Sequence, residues 1–281
     1  SYTVAMIYQD LSQEFNIYFQ NVMSTRCAEA GITLLEFDGR SDTETQLNQC
    51  ENAIASGADA LLFIPFDKDG AAPIIDNCNE AGIPVICCNN ITTNVDQATA
   101  YVGANDVEAG IMETEYIVDL IGGKGNIAVV EGPFGHSAQV ARQEGLEQVL
   151  AGYPDCKIVL DDTANWNRDE AMELVENWIA GGTQIDAIIC HNDIMAMGAL
   201  QACQDAGLEI PIIGIDATYD ALCAVKDGTL AADVYQDVYG QAEEAFNVCM
   251  RILNGETFEQ TTYVPFKLIT KDNVDEYLAN F

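Results

Sequence analysis

Short apolar runs alternate with stretches of helical spacing along this chain, and the alternation starts again near residue 105. Each run has the length and composition of a buried strand, and most are followed by apolar residues at helical intervals. The runs occupy residues 3–8, 33–37, 60–64, 85–88 and 100–102, and then 126–130, 157–160, 187–190, 212–215 and 231–234. Repeated strand–helix units of this kind form parallel sheets covered by helices. The sequence therefore predicts an α/β fold with two doubly wound, Rossmann-like lobes.

No Pro- or Ser-rich linker separates the two halves, so we expect the chain to cross between them within ordered structure. Crossings are predicted near residues 103–106, 235–238 and 265–268, because the stretches 239–253 and 263–269 do not extend the second half. Three crossovers form a hinge. The predicted N-terminal lobe is 1–104 plus 238–265, and the predicted C-terminal lobe is 105–237 plus 266–281.

The chain is strongly acidic, with 45 Asp and Glu residues against 11 Lys and Arg residues and a formal net charge of −34. Such a charge repels phosphate backbones and anionic lipid headgroups, so we expect no nucleic-acid partner and no binding to a membrane surface. The chain contains no apolar run of about 18 or more residues, the length of a membrane-spanning helix. Its first residues lead directly into an apolar strand, and we expect that any export signal or lipid anchor has been removed or was never present.

The ten cysteines do not follow a metal-binding pattern, because no C-x-x-C pair occurs and both histidines lie far from any cysteine pair. Most of them fall within apolar strand or helix patterns, so we predict buried, mainly reduced thiols that pack as small apolar groups. The adjacent Cys87 and Cys88 would point to opposite faces of a strand, which disfavours a bond between them. The sequence therefore predicts neither a metal site nor a bound cofactor.

Polar side chains follow two neighbouring strands in the second half of the chain. Asn192 and Asp193 come directly after the run 187–190, and Asp216 comes directly after the run 212–215. Ligands of open parallel sheets bind outside the carboxyl ends of the strands, so these side chains are predicted to converge on one small-molecule site. Asp193 is well placed to cap the following helix, which leaves Asn192 to face a ligand.

Six segments fall in the order and spacing of a known family: VAMIYQDLSQEFN, GIPVICCNN, GHSAQVARQEGL, NDIMAMGAL, IPIIGIDAT and LAADVYQD. From Tyr2 to about Ile269 the chain resembles the periplasmic sugar-binding proteins of the ribose and glucose/galactose type, which are type 1 periplasmic binding proteins. The resemblance implies a monomeric receptor outside the cytoplasm, in the periplasm or at the cell surface as a lipoprotein. Such a receptor traps a neutral monosaccharide or polyol by lobe closure and delivers it to the membrane permease of an ABC importer.

The resemblance also implies a set of ligand-binding residues on both lobes. Aromatic rings suit the apolar C–H faces of a sugar ring, and amide, carboxylate and guanidinium groups suit hydroxyls that both donate and accept hydrogen bonds. The implied residues of the N-terminal lobe are Gln9, Gln13, Phe15, Asn16, Asn89 and Asn90. Those of the C-terminal lobe are His136, Arg142, Trp166, Asn192 and Asp216, with Gln236 at a crossover.

The chain departs from both types at several of these positions. Asn89 and Asn90 stand where ribose-type members carry an Asp-Arg pair, and Ala138 stands where glucose-type members carry an acid. Asn89, His136 and Trp166 are closer to the glucose/galactose type, although the calcium-binding loop of that type has no counterpart here. These departures leave the identity of the sugar or polyol open.

Two other classes of function, an enzyme and a sensor or regulator domain, are alternatives to this interpretation, and some of the residues have structural roles instead. The segment Gly135 to Gln139 resembles the G-x-S-x-G nucleophile elbow of an acyl hydrolase, for which His191 would have to be the base, but its last position is glutamine where a small residue is needed. The same fold also serves as a sensor for chemoreceptors or histidine kinases, and as the effector domain of LacI-type regulators, which require an additional DNA-binding domain. Trp178 lies in a helical pattern and His191 lies one residue past a strand, so both are predicted to be structural. Phe15 and Trp166 lie in polar segments that favour ligand contact.

Overall fold

The computed structural model describes every residue from Ser1 to Phe281 and divides into two compact units. Unit 1 comprises Ser1–Ala104, Gly135–Ser137 and Asp237–Pro265. Unit 2 comprises Asn105–Phe134, Ala138–Gln236 and Phe266–Phe281. Each unit contains one six-stranded sheet flanked by helices, so the predicted α/β fold with two doubly wound lobes is confirmed.

Unit 1 is built on a fully parallel sheet with the strand order β11-β5-β4-β3-β1-β2. Its strands are β1 (Thr3–Tyr8), β2 (Thr33–Asp38), β3 (Ala60–Phe63), β4 (Val85–Asn89), β5 (Ala100–Gly103) and β11 (Thr261–Tyr263). Its helices are α1 (Glu14–Glu29), α2 (Thr43–Ala55), α3 (Ala72–Ala81) and α9 (Val238–Leu253), and a 3₁₀ turn spans Val95–Gln97.

The two faces of this sheet pack against different helices because successive strand residues point to opposite sides. On one side, Val4, Met6 and Tyr8 of β1 join a buried cluster with residues of α1 and α9. On the other side, Ala5 and Ile7 of β1 join a second buried cluster with residues of α2 and α3. Burial on both faces explains why the strands of this unit read as nearly continuous apolar runs.

Unit 2 is built on a sheet with the order β12-β10-β9-β8-β6-β7, in which only the edge strand β12 runs antiparallel to its neighbour. Its strands are β6 (Gly125–Glu131), β7 (Cys156–Thr163), β8 (Ala187–Cys190), β9 (Ile212–Ile215), β10 (Ala232–Tyr235) and β12 (Lys267–Ile269). Its helices are α4 (Asp106–Leu120), α5 (Ser137–Leu150), α6 (Arg168–Ala180), α7 (Asp193–Asp205), α8 (Tyr219–Asp227) and α10 (Val274–Leu278).

Polar side chains cap the first turn of several of these helices. The Asp42 carboxylate accepts a hydrogen bond from Thr45 N at 2.8 Å at the start of α2, and Asn105 Oδ1 accepts one from Val107 N at 3.2 Å at the start of α4. Each bond satisfies a backbone N–H that the first turn of a helix leaves unpaired. These caps set the points at which the chain leaves a strand end and turns into a helix.

Two segments lie in a different unit from the one expected for them. Gly135–Ser137, expected in the C-terminal lobe, clusters with unit 1, where Gly135 O accepts from Lys68 N and Ser137 Oγ accepts from Ile91 N at 2.9 Å. Asp237 also clusters with unit 1, because its carboxylate accepts from Gly240 N and caps α9. The run 263–269 divides at Pro265, so β11 adds to the sheet of unit 1 and β12 to that of unit 2.

None of the helices combines the length and apolar character needed to cross a membrane.

Candidate functional site

The carboxyl edge of the unit 1 sheet carries a buried cluster of three polar side chains. Gln9 follows β1 and Asn90 follows β4, and the loop segment that contains His136 packs beside them. Asn90 Nδ2 donates to Gln9 Oε1 at 2.8 Å, and His136 Nε2 lies 3.1 Å from Asn90 Nδ2 and 2.9 Å from Gln9 Oε1. His136 Nε2 either donates to Gln9 Oε1 or accepts from Asn90 Nδ2, according to its tautomer, so each side chain has a partner that fixes its orientation before a ligand arrives. The sequence placed His136 with the C-terminal lobe, and the hydrogen bonds place it with unit 1.

Three further residues hold this cluster in position. Asn16 Oδ1 accepts from Gln9 N at 3.2 Å, so Asn16 acts on the backbone of the first loop. The fully buried Gln46 donates to Ile64 O at 2.9 Å and accepts from Phe66 N at 3.0 Å, which fixes the loop after β3. In that loop, Pro65 O accepts from the Asn90 side chain at 2.9 Å. Sequence reasoning missed Gln46, because its partners are backbone groups brought near it only by the fold.

The other residues implied for unit 1 have varied environments. Gln13 occupies the N-cap position of α1 without a side-chain capping bond, and its side chain is half-buried. Phe15 is also half-buried and packs against the core cluster beside α1. Asn89 adopts a left-handed backbone, and its Nδ2 donates to Gln241 Oε1 at 2.9 Å, which ties the end of β4 to α9. A direct ligand contact of Gln13, Phe15 or Asn89 stays a prediction.

Arg142 is the central side chain of the polar group in unit 2. Its Nε and Nη2 donate to Asp106 Oδ1 at 3.0 and 2.8 Å, and its Nη1 donates to His191 O. The side chain is 4 % exposed, so this ion pair lies out of reach of bulk solvent. These bonds use three of the five N–H groups of a guanidinium, so two can serve another acceptor. Sequence reasoning did not include Asp106 in the site, because nothing in the spacing links residues 106 and 142.

Trp166 lies against Arg142 and is largely buried. The guanidinium carbon of Arg142 stands 5.7 Å from the centroid of the indole ring, which is a cation–π arrangement. The ring is 6 % exposed and joins the apolar core of unit 2, so it is more enclosed than its polar neighbours in the sequence suggest. Its stacking against a ligand stays a prediction, and its contact with Arg142 is a second role.

Gly132 makes room for this indole ring. A Cβ added at Gly132 would lie 2.3 Å from two carbon atoms of the Trp166 ring. Gly132→Ala is therefore expected to displace the ring and to destabilise unit 2 by about 1–3 kcal/mol through overpacking. The measurement is chemical unfolding together with the emission of Trp166 in a Trp178→Phe background.

A matched variant for this test is Gly152→Ala, because a Cβ there would meet only Val149 O, at 3.5 Å. The control should leave both the emission and the unfolding midpoint close to those of the parent. If Gly132→Ala behaves like the control, then Gly132 does not set the position of the indole ring.

The start of α7 differs from the predicted helix cap. Asn192, not Asp193, is the N-cap: its backbone is extended and its Oδ1 accepts from Met195 N at 3.0 Å. Asp193 lies one residue inside the helix, where its Oδ2 accepts from Thr218 N at 2.8 Å and so holds the loop after β9. Because the cap consumes Asn192 Oδ1, the amide Nδ2 is the group that Asn192 can offer to a ligand.

Asp216 and Gln236 meet at the carboxyl ends of the adjacent strands β9 and β10. Gln236 Nε2 donates to Asp216 Oδ1 at 2.7 Å. Asp216 and the following Ala217 both have positive φ angles, 130° and 61°, a conformation that is strained for residues other than glycine and clusters at functional sites. Burial raises the pKa of Asp216 to about 7, although the charge of Arg142 opposes the shift. This carboxyl group therefore changes its charge near neutral pH.

The residues required for the hydrolase alternative make other contacts. Ser137 Oγ accepts from Ile91 N at 2.9 Å, and His191 Nδ1 accepts from Gly132 N at 3.2 Å. Neither contact is the serine–histidine hydrogen bond by which a base activates a nucleophile. No group of three or more histidine, cysteine or acidic side chains is arranged to hold a metal ion.

Comparisons with known proteins identify relatives of this chain. The sequence profile of the periplasmic binding protein domain matches residues 4–257. A xylitol-binding protein of Mycolicibacterium smegmatis is 38% identical over 255 residues, which is 90% of this chain and 73% of that protein. A putative rhizopine-binding protein of Rhizobium meliloti is 36% identical over 256 residues, or 88% of this chain and 82% of that protein.

A solved structure extends the similarity over the full chain. The solute-binding protein of an ABC transporter from Bacillus halodurans, solved with bound myo-inositol, is 37% identical. It superposes with a TM-score of 0.96 over 100% of this chain and 98% of that chain. Taken with the profile match over residues 4–257, this similarity establishes that the chain belongs to the periplasmic binding protein family.

Proposed function

We propose that this protein binds a neutral polyol or monosaccharide outside the cytoplasm and delivers it to the membrane permease of an ABC importer. Among the relatives compared above, one is named for xylitol, one for a rhizopine, and one was solved with myo-inositol. Polyols are thus the first ligands to consider, with myo-inositol and xylitol ahead of ribose or galactose.

The charge balance at the two sheet edges carries this proposal. The three clustered side chains of unit 1 include two neutral amides, and in unit 2 the charge of Arg142 is already matched by Asp106 at 2.8 Å. Asp216 adds a further acceptor near Arg142 rather than a positive charge. A phosphate or carboxylate would find no uncompensated cation here, whereas hydroxyl groups can both donate to and accept from these groups.

We further propose that one ligand contacts both groups of residues, so that it favours a closed state of the protein. Neither group alone offers enough donors and acceptors for every hydroxyl of a cyclitol or sugar. A ligand shifts a conformational equilibrium only by its difference in affinity for the two states, and contacts with both units would supply that difference. Small-angle X-ray scattering with and without saturating ligand tests this part, and an unchanged radius of gyration would contradict it.

A thermal-shift screen tests the ligand class. We expect myo-inositol, xylitol or a neutral monosaccharide to raise the unfolding temperature, because a ligand at 100 times its Kd stabilises the folded state by about 2.7 kcal/mol. Inositol monophosphate and a uronic acid serve as charged controls of similar shape and should give smaller shifts. A larger shift with either charged control, or the appearance of a reaction product during incubation, would overturn the proposal.

A further inference from the structure

Two buried cysteines of unit 1 face each other across a helix–helix contact. Cys50 lies on α2 and Cys78 lies on α3, and their Sγ atoms are 3.9 Å apart. Both side chains are fully buried in the core cluster that α2 and α3 share. By contrast, the neighbouring Cys87 and Cys88 direct their thiols to different backbone carbonyls, those of Asn90 and Ile86. Cys50 and Cys78 are thus far apart in the sequence and become neighbours only in the folded protein.

The distance between these sulfur atoms is close to what a covalent bond requires. A disulfide has an S–S length of about 2.0 Å, so the two sulfur atoms need to approach by roughly 2 Å. Rotation about the Cα–Cβ bonds and a small shift of the short helix α3 can supply such a movement. All ten cysteines of this structure are free thiols, so the structure describes the reduced form of the pair.

We propose that Cys50 and Cys78 form a disulfide-bonding site that, when oxidised, links α2 to α3. The reaction consumes one small-molecule disulfide such as oxidised glutathione. One cysteine thiolate attacks it, which forms a mixed disulfide and releases one glutathione thiolate. The second cysteine then displaces the other glutathione, so that two protein thiols are oxidised and one glutathione disulfide is reduced to two thiols.

Cys50 Sγ and Cys78 Sγ lie within hydrogen-bond distance and either can be the donor, so either cysteine can make the first attack. When Cys50 accepts that bond, the bond lowers the pKa of Cys50, although burial opposes the shift. The same bond, together with burial, raises the pKa of Cys78. Because both groups are buried, the small disulfide can reach them only during folding or when α3 opens locally.

The cross-link would lie next to a residue that holds the polar cluster of unit 1 in position. Gln46, which holds Ile64 O and Phe66 N, lies one turn before Cys50 on the same face of α2. The loop that Gln46 fixes leads into α3, which carries Cys78. A bond between Cys50 and Cys78 would close the chain around this loop. We therefore expect the oxidised form to resist unfolding of unit 1 more strongly than the reduced form.

The experiment is refolding of the full chain from denaturant in a buffer of oxidised and reduced glutathione. Thiols are then counted in unfolded protein, and peptides are mapped after cleavage by trypsin and by a glutamate-specific protease. These enzymes cut after Lys68 and Glu80 and so separate Cys78 from Cys87 and Cys88. We expect two thiols fewer than the ten of the reduced chain and a cross-linked pair of peptides containing Cys50 and Cys78. The oxidised protein should unfold at a temperature roughly 5–10 °C higher.

Three variants complete the test. Cys50→Ser and Cys78→Ser should each abolish the cross-link and the rise in unfolding temperature. Cys156→Ser, which alters a buried cysteine of unit 2, should keep both. If the refolded parent retains all ten thiols, or if its cross-link joins other cysteines, the proposal is wrong. The peptide map of the parent decides this point even if a serine variant fails to fold.

Discussion

Replacement of Arg142 with methionine is expected to destabilise unit 2 by about 3–5 kcal/mol, the usual cost of removing one partner from a buried ion pair. The guanidinium is 4 % exposed and makes two bonds to Asp106 and one to His191 O. Without it, Asp106 must either keep an uncompensated charge in a buried position or take up a proton. Urea unfolding monitored by circular dichroism measures the loss. We also expect ligand affinity to fall, since the support of Trp166 disappears.

Two variants separate the ion pair from a general effect of losing an arginine. The partly exposed pair of Arg251 and Glu244, 3.4 Å apart, provides the matched control, and Arg251→Met should cost less than about 1 kcal/mol. The double variant Arg142→Met with Asp106→Leu removes both charges and should recover part of the stability that Arg142→Met loses. Equal losses in Arg142→Met and Arg251→Met would show that the buried pair has no special role.

Substitution of Asp216 with alanine is expected to weaken ligand binding about tenfold to a hundredfold, which corresponds to about 1–3 kcal/mol for a buried polar group left unpaired. The change removes the acceptor of Gln236 Nε2 and a carboxylate near the charge of Arg142. Isothermal titration calorimetry gives the Kd directly. Asp220→Ala, an exposed acid on the following helix, is the control and should leave the Kd within about twofold of the parent.

The raised pKa of Asp216 predicts opposite pH trends for stability and for binding. The folded protein keeps this proton up to about pH 7, whereas the unfolded chain loses it near 3.8, so the associated stability is present below pH 3.8 and is lost as the pH rises through about 7. Ligand hydroxyls donate more strongly to the carboxylate than to the acid, so affinity should increase over the upper part of the same range. Asp216→Asn should remove both trends, and a parent Kd that is equal at about pH 5.5 and about pH 8.5 would contradict this assignment.

Most of the fold could be predicted from local sequence signals. The runs at 3–8, 187–190 and 212–215 coincide with β1, β8 and β9, because buried strands between helices form short apolar runs that end at polar residues. The boundary of α7 was predicted one residue too late, because Asn192 and Asp193 are both good caps and only the backbone conformation distinguishes them. The positions of helices and strands can therefore be predicted from the local sequence, with errors of about one or two residues at their ends.

The partners of the site residues could not be predicted in the same way. Asp106 with Arg142, Asn89 with Gln241, and Gln46 with the loop after β3 are contacts between residues far apart in the chain. Each depends on which strands and helices become neighbours, and a single sequence contains no local signal for that. His136 illustrates the same limit, since its loop follows a strand of unit 2 yet its hydrogen bonds are to Gln9 and Asn90. The resemblance to a family predicted the site residues, and the structure adds what each of them contacts.

The proposed function requires that polar residues of both units bind one neutral polyol or monosaccharide. Calorimetric titration of the parent, Asn90→Ala and Asp216→Ala with the ligand identified by the thermal-shift screen tests it most directly. We expect one ligand per chain in the parent and a Kd at least about tenfold weaker in each variant, because each loses a hydrogen-bonding side chain of a different unit, the buried Asn90 or the half-buried Asp216. If the parent binds no neutral polyol or sugar, or if only one of the two variants changes the Kd, the claim is contradicted.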